Sequence, residues 1–231
     1  MNLLKLLTAG LIVMSITTFT ACSVLTPSVS YMQTGTTAAT VAEARQVVGK
    51  LVSEKDSERR ALCSAVLVGP TEALTAAHCS GIENPVIIME DGTVYKVHSV
   101  VVDSNHRDIA YLVIEGERVA SVERAYAKFA KYPANIDEAA LVIGYPHNLA
   151  QVVTYGHIQA RVKNTDLDGS LPPYLLTEAS AAPGNSGGGL FVIRDGKPYL
   201  IGIVVGMAGA NHLIVAEELL FEHTQEVSAL N

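Results

Sequence analysis

From Gln46 onward the chain is cut into short apolar runs, each closed by turn residues. Ala61 to Val68 precedes Gly69-Pro70, Val86 to Met89 precedes Asp91-Gly92, and Gly189 to Ile193 precedes Asp195-Gly196. In Thr93 to Val102, Val94, Lys96 and His98 alternate against Tyr95, Val97 and Ser99, the two-residue period of a strand with one wet face. Ile109 to Ile114, Ala139 to Ile143, Val152 to Val162 and Tyr199 to Val205 continue the series. Many short strands so spaced predict an all-β sandwich or barrel. Two stretches read as helices: Val119 to Ala130, in the connection between two halves, and Ala216 to Leu230. The second places Leu219, Leu220, Val227 and Leu230 roughly on one stripe, with Glu217 and Glu218 in its first turn. No repeat of about 20 to 50 residues is evident, which disfavours solenoids and propellers.

With 231 residues, 49% of them hydrophobic, the chain can build a sizeable core. The formal charge is -7 and Lys and Arg are scattered, so an electrostatic grip on nucleic acid is not expected. Residues 1–21 read as a secretory signal: Lys5, the apolar run Leu6 to Phe19, then Ala21-Cys22. That run is short for a membrane span, which needs about 20 apolar residues. Phe19-Thr20-Ala21-Cys22 resembles a bacterial lipoprotein cleavage box, which implies lipid on Cys22, although Phe19 stands where an aliphatic residue is usual. Ordinary signal-peptidase cleavage and an uncleaved anchor are the alternatives. Residues 22–45, rich in Ser, Thr and Ala without an apolar period, read as a flexible tether.

Three cysteines are an odd number for an exported chain. With Cys22 lipidated, Cys63 and Cys79 are left to pair in an oxidising compartment, the alternative being two small buried thiols. No metal ligand spacing such as His-Glu-x-x-His occurs, and no metal or cofactor is expected. His106, His147 and His212 read as surface or structural residues, with His212 a weaker candidate for the cleft.

Three stretches carry chemistry. Thr75-Ala-Ala-His78-Cys79 offers a base, Asp108-Ile-Ala-Tyr-Leu112 an acid that enters an apolar strand, and Gly184-Asn-Ser186-Gly-Gly188 a hydroxyl in a glycine-rich turn. A serine hydroxyl is a poor nucleophile until an imidazole takes its proton and a carboxylate orients that imidazole. Asp103 is the alternative acid, but no apolar strand follows it directly. The glycines permit backbone angles that aim the Gly184 and Ser186 amides at one point, an oxyanion hole. A phosphate-binding loop is disfavoured because no Gly-Lys-Ser/Thr follows.

The three stretches, in this order, resemble the base, acid and nucleophile motifs of trypsin-like serine peptidases. Glu178 to Leu190 and Gly144-Tyr-Pro146 followed by Val153-Thr-Tyr-Gly156 are most similar to the bacterial Deg/HtrA type, and Gly202-Ile-Val204 resembles the strand beside the substrate pocket. The resemblance covers about Gln46 to the C-terminus. It implies two six-stranded β-barrels, about 46–130 and 131–231, with a C-terminal helix and a cleft between the barrels. It implies a serine endopeptidase acting on polypeptides through an acyl-enzyme, with His78 and Asp108 on the first barrel and Ser186 on the second. Ser180 would form the base of the primary pocket and Val205, Gly206 and Met207 its wall, so small or medium apolar side chains are expected there. Asn185 stands where digestive trypsins carry an aspartate, so activation by N-terminal insertion is not expected. No PDZ module is expected after the final helix. An esterase and a catalytically inert peptide-binding protein of the envelope are the rival readings. Ser23 after Cys22 resembles lipoproteins sent to an outer membrane.

Overall fold

A computed structural model describes residues 36–58, 62–105, 107–115, 125–163, 173–209 and 213–219, all within one compact unit. The signal segment, Cys22, His106, His212 and most of the expected C-terminal helix lie outside these residues.

Among the described residues, twelve strands close into two six-stranded antiparallel barrels. The first contains β1 (Val48–Ser53), β2 (Cys63–Leu67), β3 (Glu72–Thr75), β4 (Pro85–Ile88), β5 (Val94–Val102) and β6 (Ala110–Ile114), in the ring order β1-β2-β3-β6-β5-β4. The second contains β7 (Ala139–Gly144), β8 (Val152–Val162), β9 (Tyr174–Thr177), β10 (Gly189–Arg194), β11 (Lys197–Ala208) and β12 (Leu213–Glu218), in the order β10-β11-β12-β9-β8-β7. Read from β7, the second ring winds as the first does. The halves therefore share a topology without sharing a detectable sequence repeat, because inward-facing positions accept any apolar residue of suitable volume. Closure removes the sheet edges that would otherwise template aggregation.

Each barrel has its own core. Leu51, Leu67, Ile87, Leu112 and Ile114 fill the first, and Ile158, Leu175, Leu190, Ile201 and Ile214 fill the second. A third cluster joins Val48, Val66, Leu74 and Ile109 of the first half to Leu141, Ile143, Phe191 and Ile203 of the second. Glycine allows the tightest approach inside the first barrel: a Cβ on Gly49 would lie 2.5 Å from the Ile87 side chain and 2.7 Å from the Met89 sulfur.

Three expectations are corrected. Ala38–Arg45, read as the end of a flexible tether, is a helix, α1. The Thr37 side chain caps its start by accepting the Thr40 N–H at 3.1 Å, the Thr40 hydroxyl donates to the Gly196 carbonyl, and Ala44 is buried in the shared cluster. Docking and capping, not an apolar stripe, supply this helix. Gln151 fastens its end, its amide donating to the carbonyls of Arg45 and Val48 while its oxygen accepts from Arg45 Nε. Second, the described part of Val119 to Ala130 is not helical. Residues 125–130 form no helical turn, and Phe129 bridges in parallel to Leu200. Third, Ala216 to Glu218, read as a helix start, belong to β12. Glu217 and Glu218 are both buried, and the second pairs with Arg161. The Glu218–Arg161 pair ties β12 to β8, a link that a surface acid at a helix start would not need.

Candidate active site

β3 delivers His78 into a single helical turn, Ala77–Cys79. A disulfide from Cys79 to Cys63, at the start of β2, holds that turn with a Cα–Cα distance of 6.3 Å. Cys63, His78 and Cys79 also form a tight group of metal-ligand atom types, but both sulfurs are spent in the disulfide and offer no thiolate.

Asp108 faces His78 with both oxygens. Its Oδ1 accepts the His78 main-chain N–H at 2.9 Å and its Oδ2 lies 2.7 Å from Nδ1. That bond sets the proton on Nδ1 and leaves Nε2 as the basic atom. The imidazole is 47% exposed and the carboxylate 31%, so the pair opens to the surface. Asp103, the alternative acid, is engaged elsewhere. Its Oδ2 accepts from Arg107 Nε at 3.0 Å and from Nη2, both side chains are almost fully buried, and its Oδ1 caps the Asn105 N–H. The Asp103–Arg107 pair braces the loop from which Asp108 projects.

The Ser186 turn is bound from both barrels. Ser64, on β2 and fully buried, donates its N–H to the Ser186 carbonyl at 2.7 Å and its hydroxyl to the Gly184 carbonyl at 2.8 Å. The same hydroxyl accepts the Tyr145 N–H, and the Ser64 carbonyl accepts the Thr75 hydroxyl three residues before His78. One residue thus connects the base-bearing segment, the nucleophile turn and the end of β7. Gly187, at φ +82°, shows why no side chain fits: a Cβ would lie 2.1 Å from the Ser64 carbonyl oxygen and 2.2 Å from Thr75 Oγ1.

Within the turn, the Asn185 N–H donates to Ala182, Gly187 to Val204 and Gly188 to Asn185. Among the described residues, the Gly184 and Ser186 amides have no acceptor in the chain. Gly184 sits at φ +101°. The Pro183 carbonyl accepts the His147 N–H at 2.7 Å, and because a trans peptide holds C=O and N–H opposed, this turns the Gly184 N–H the other way. His147 and Asn148 carry this contact in the left-handed region, at φ +51° and +59°. Strain at two consecutive non-glycine residues marks a loop whose shape is imposed by its surroundings. Asn185 is buried, and its Oδ1 has no partner among the described residues.

An open hollow of about 410 Å³ beside the turn is lined by residues 178–183 and Met207. Ser180 and Met207, two of the residues expected around the primary pocket, line this hollow. Val205 instead packs against the first barrel's core, and Gly206 sits opposite Val215 at a register shift in β11. Glu178, not anticipated, joins the lining, but its oxygens accept from the His157 main chain and from the Gln159 side chain, and His157 Nδ1 lies 2.9 Å from Oε1. These bonds hold its carboxyl below the usual range against the opposing effect of partial burial.

Ser64 and Glu217 also escaped the sequence reading, since neither stands in a recognisable motif. Glu217, on β12, is fully buried and its Oε1 accepts the Asp108 main-chain N–H at 3.1 Å. Burial pushes its carboxyl above the ordinary range, against the pull of that bond, of Arg107 and of the Tyr174 phenol.

Two closed antiparallel barrels, a His–Asp pair on one and a glycine-rich serine turn on the other, are the framework of a trypsin-like peptidase. The chain belongs to the trypsin-like peptidase domain family, whose pattern matches residues 63–203. It is similar to the serine endoprotease DegS of Haemophilus influenzae, 29% identical over 137 residues that cover 59% of this chain and 38% of that protein. A DegP-like periplasmic serine endoprotease of Ectopseudomonas mendocina is 33% identical over 87 residues, 38% of this chain and 17% of that one. The chain thus spans less than half the length of these relatives. Among solved structures, a serine endoprotease from Yersinia pestis superposes with a TM-score of 0.66 at 25% identity, covering 85% of this chain and 67% of that one. The HtrA-type protease AlgW with a tripeptide gives a TM-score of 0.66 at 25% identity, covering 83% and 62%.

A raised carboxyl favours folding fully below the unfolded carboxylate pKa of about 4.3, and this contribution is lost as pH rises through the higher folded value. Glu217→Gln, neutral throughout, is therefore expected to gain stability relative to the parent as pH increases. Urea midpoints from pH 4 to 8 measure this; a difference that does not vary with pH refutes it.

Proposed function

We propose that this chain is a serine endopeptidase, exported and lipid-anchored at Cys22 in the bacterial envelope, that hydrolyses polypeptides with His78, Asp108 and Ser186. The observation that carries the reading is the Asp108 carboxylate bonded to both His78 N–H groups, beside a serine turn whose two unclaimed amides belong to Gly184 and Ser186. In this mechanism Ser186 Oγ attacks the scissile carbonyl carbon while His78 Nε2 takes its proton. Asp108 stabilises the imidazolium. The Gly184 and Ser186 amides receive the oxyanion, each such donor being worth about 2.7 to 4 kcal/mol. His78 then protonates the leaving amine, and a water activated by the same imidazole releases the acyl group from Ser186.

Relatives named as serine endoproteases favour peptide over ester substrates. A fluorophosphonate probe is expected to label Ser186 in the parent and nothing in Ser186→Ala, with peptide turnover reduced at least about 10³-fold in His78→Ala. Absence of labelling would leave only the inert binder. Labelling with ester turnover but no peptide turnover would favour the esterase.

The hollow between Ser180 and Met207 presents no unpaired carboxylate, Glu178 being held by His157 and Gln159. Small or medium apolar residues are therefore expected before the scissile bond. Profiling against a peptide library checks this, and a preference for Lys or Arg contradicts it.

Export agrees with the periplasmic DegP-like relatives and with the disulfide, which suits an oxidising compartment. A lipoprotein's several acyl chains anchor firmly where one chain binds only marginally. Cys22→Ser should move the protein from the membrane to the soluble fraction; unchanged membrane retention would place the anchor elsewhere.

A further inference from the structure

Both oxygens of the Asp108 carboxylate bond to His78, and among the described hydrogen bonds its side chain has no tie to the barrel that carries Ser186. Its main chain does. The Asp108 N–H crosses to Glu217 Oε1 on β12 of the second barrel, the barrel of the nucleophile. Glu217 is the one buried acid of that barrel that reaches the acid loop among the described hydrogen bonds; its neighbour Glu218 turns to Arg161.

The groups around Glu217 exclude a simple ion pair as its purpose. Arg107 faces it from the loop, but that guanidinium is held by Asp103, and among the described residues Arg107 Nη1 and Glu217 Oε2 have no hydrogen-bond partner. Tyr174 approaches from β9, the strand paired with β12, and Asp108 adds a second negative charge that disfavours ionisation of Glu217. A side chain kept in this setting, at the cost of burying a carboxyl, meets the Tyr174 phenol within its own barrel and, across to the other barrel, accepts the Asp108 N–H, which no apolar residue of its size can do.

We infer that Glu217 is a positioning residue: by holding the Asp108 main chain from the second barrel, it sets the His78–Asp108 pair in register with the Ser186 turn. The inference rests on the peptidase reading above. Displacing a reacting pair by about 1 Å costs on the order of a hundredfold in rate, so a single strut between the barrels is sufficient to matter. Its work is done through an oxygen at a given reach, not through charge.

Three variants separate these roles. Glu217→Gln keeps an oxygen at the same reach without the charge, Glu217→Asp keeps the charge and withdraws the oxygen by one methylene, and Glu217→Leu removes both while retaining volume. Peptide kcat and KM, the rate of fluorophosphonate labelling and the low-field NMR resonance of His78 Nδ1–H are measured on each folded variant. Glu217→Gln is expected within about threefold of the parent, and Glu217→Leu and Glu217→Asp about 10 to 100-fold lower in kcat and labelling with little change in KM. The His78 Nδ1–H resonance should stay in Glu217→Gln and move in the other two. Should Glu217→Leu not fold, Glu217→Asp carries the same comparison. Parent-like rates and an unmoved resonance in the shortened variants overturn the inference, as does Glu217→Gln falling with them. A parent that is never labelled overturns the peptidase reading, and with it this one; a labelled parent with unaffected variants overturns this one alone.

Discussion

Ser64 uses its amide, its carbonyl and its hydroxyl to join the two barrels at the point where their functional turns meet. Its four described hydrogen bonds reach Ser186, Gly184, Tyr145 and Thr75, and those to the last three are buried. Each contributes about 1 kcal/mol net, but loss of any one would strand a buried polar group at about 1 to 3 kcal/mol. This makes the node a constraint on geometry more than a source of stability. The glycine at 187 has to be a glycine because Ser64 and Thr75 occupy the space its side chain would need.

Around that node the chain settles each element with a local lock. The Cys63–Cys79 disulfide fixes the histidine turn, the Asp103–Arg107 pair closes the acid loop, and His147, by donating to the Pro183 carbonyl, fixes the plane of the peptide that carries the Gly184 amide. Two of these locks are expensive in isolation: a buried ion pair gives up hydration, and consecutive left-handed residues store strain. They are tolerated because the surrounding cores are closed and well filled. A dyad open to solvent is thereby mounted on rigid supports, the arrangement that transition-state stabilisation by fixed dipoles requires.

The two halves also show how little of a barrel's topology is written in particular residues. Both wind in the same order, yet one core is built on Leu51, Leu67 and Ile87 and the other on Leu175, Leu190 and Ile201. Strand runs such as Val94–Val102 were legible because alternation along a half-exposed strand is a local property. β12 was not, because its two glutamates are buried by partners far away in sequence. α1 was missed for a related reason: its stability comes from Thr37, Gly196 and Gln151, none of which marks an apolar stripe.

The all-β class, the family motifs around His78, Asp108 and Ser186, and the cysteines available to pair are written in residue type, order and short-range spacing. Closure of the barrels is what sets Asp108 and not Asp103 against the imidazole, sends Ser64 and Glu217 across from one barrel to the other, and turns Val205 to the core while Glu178 enters the hollow's wall. Each of those outcomes depends on which distant atoms compete for the same donor or the same space, and such competition exists only once the barrels have closed.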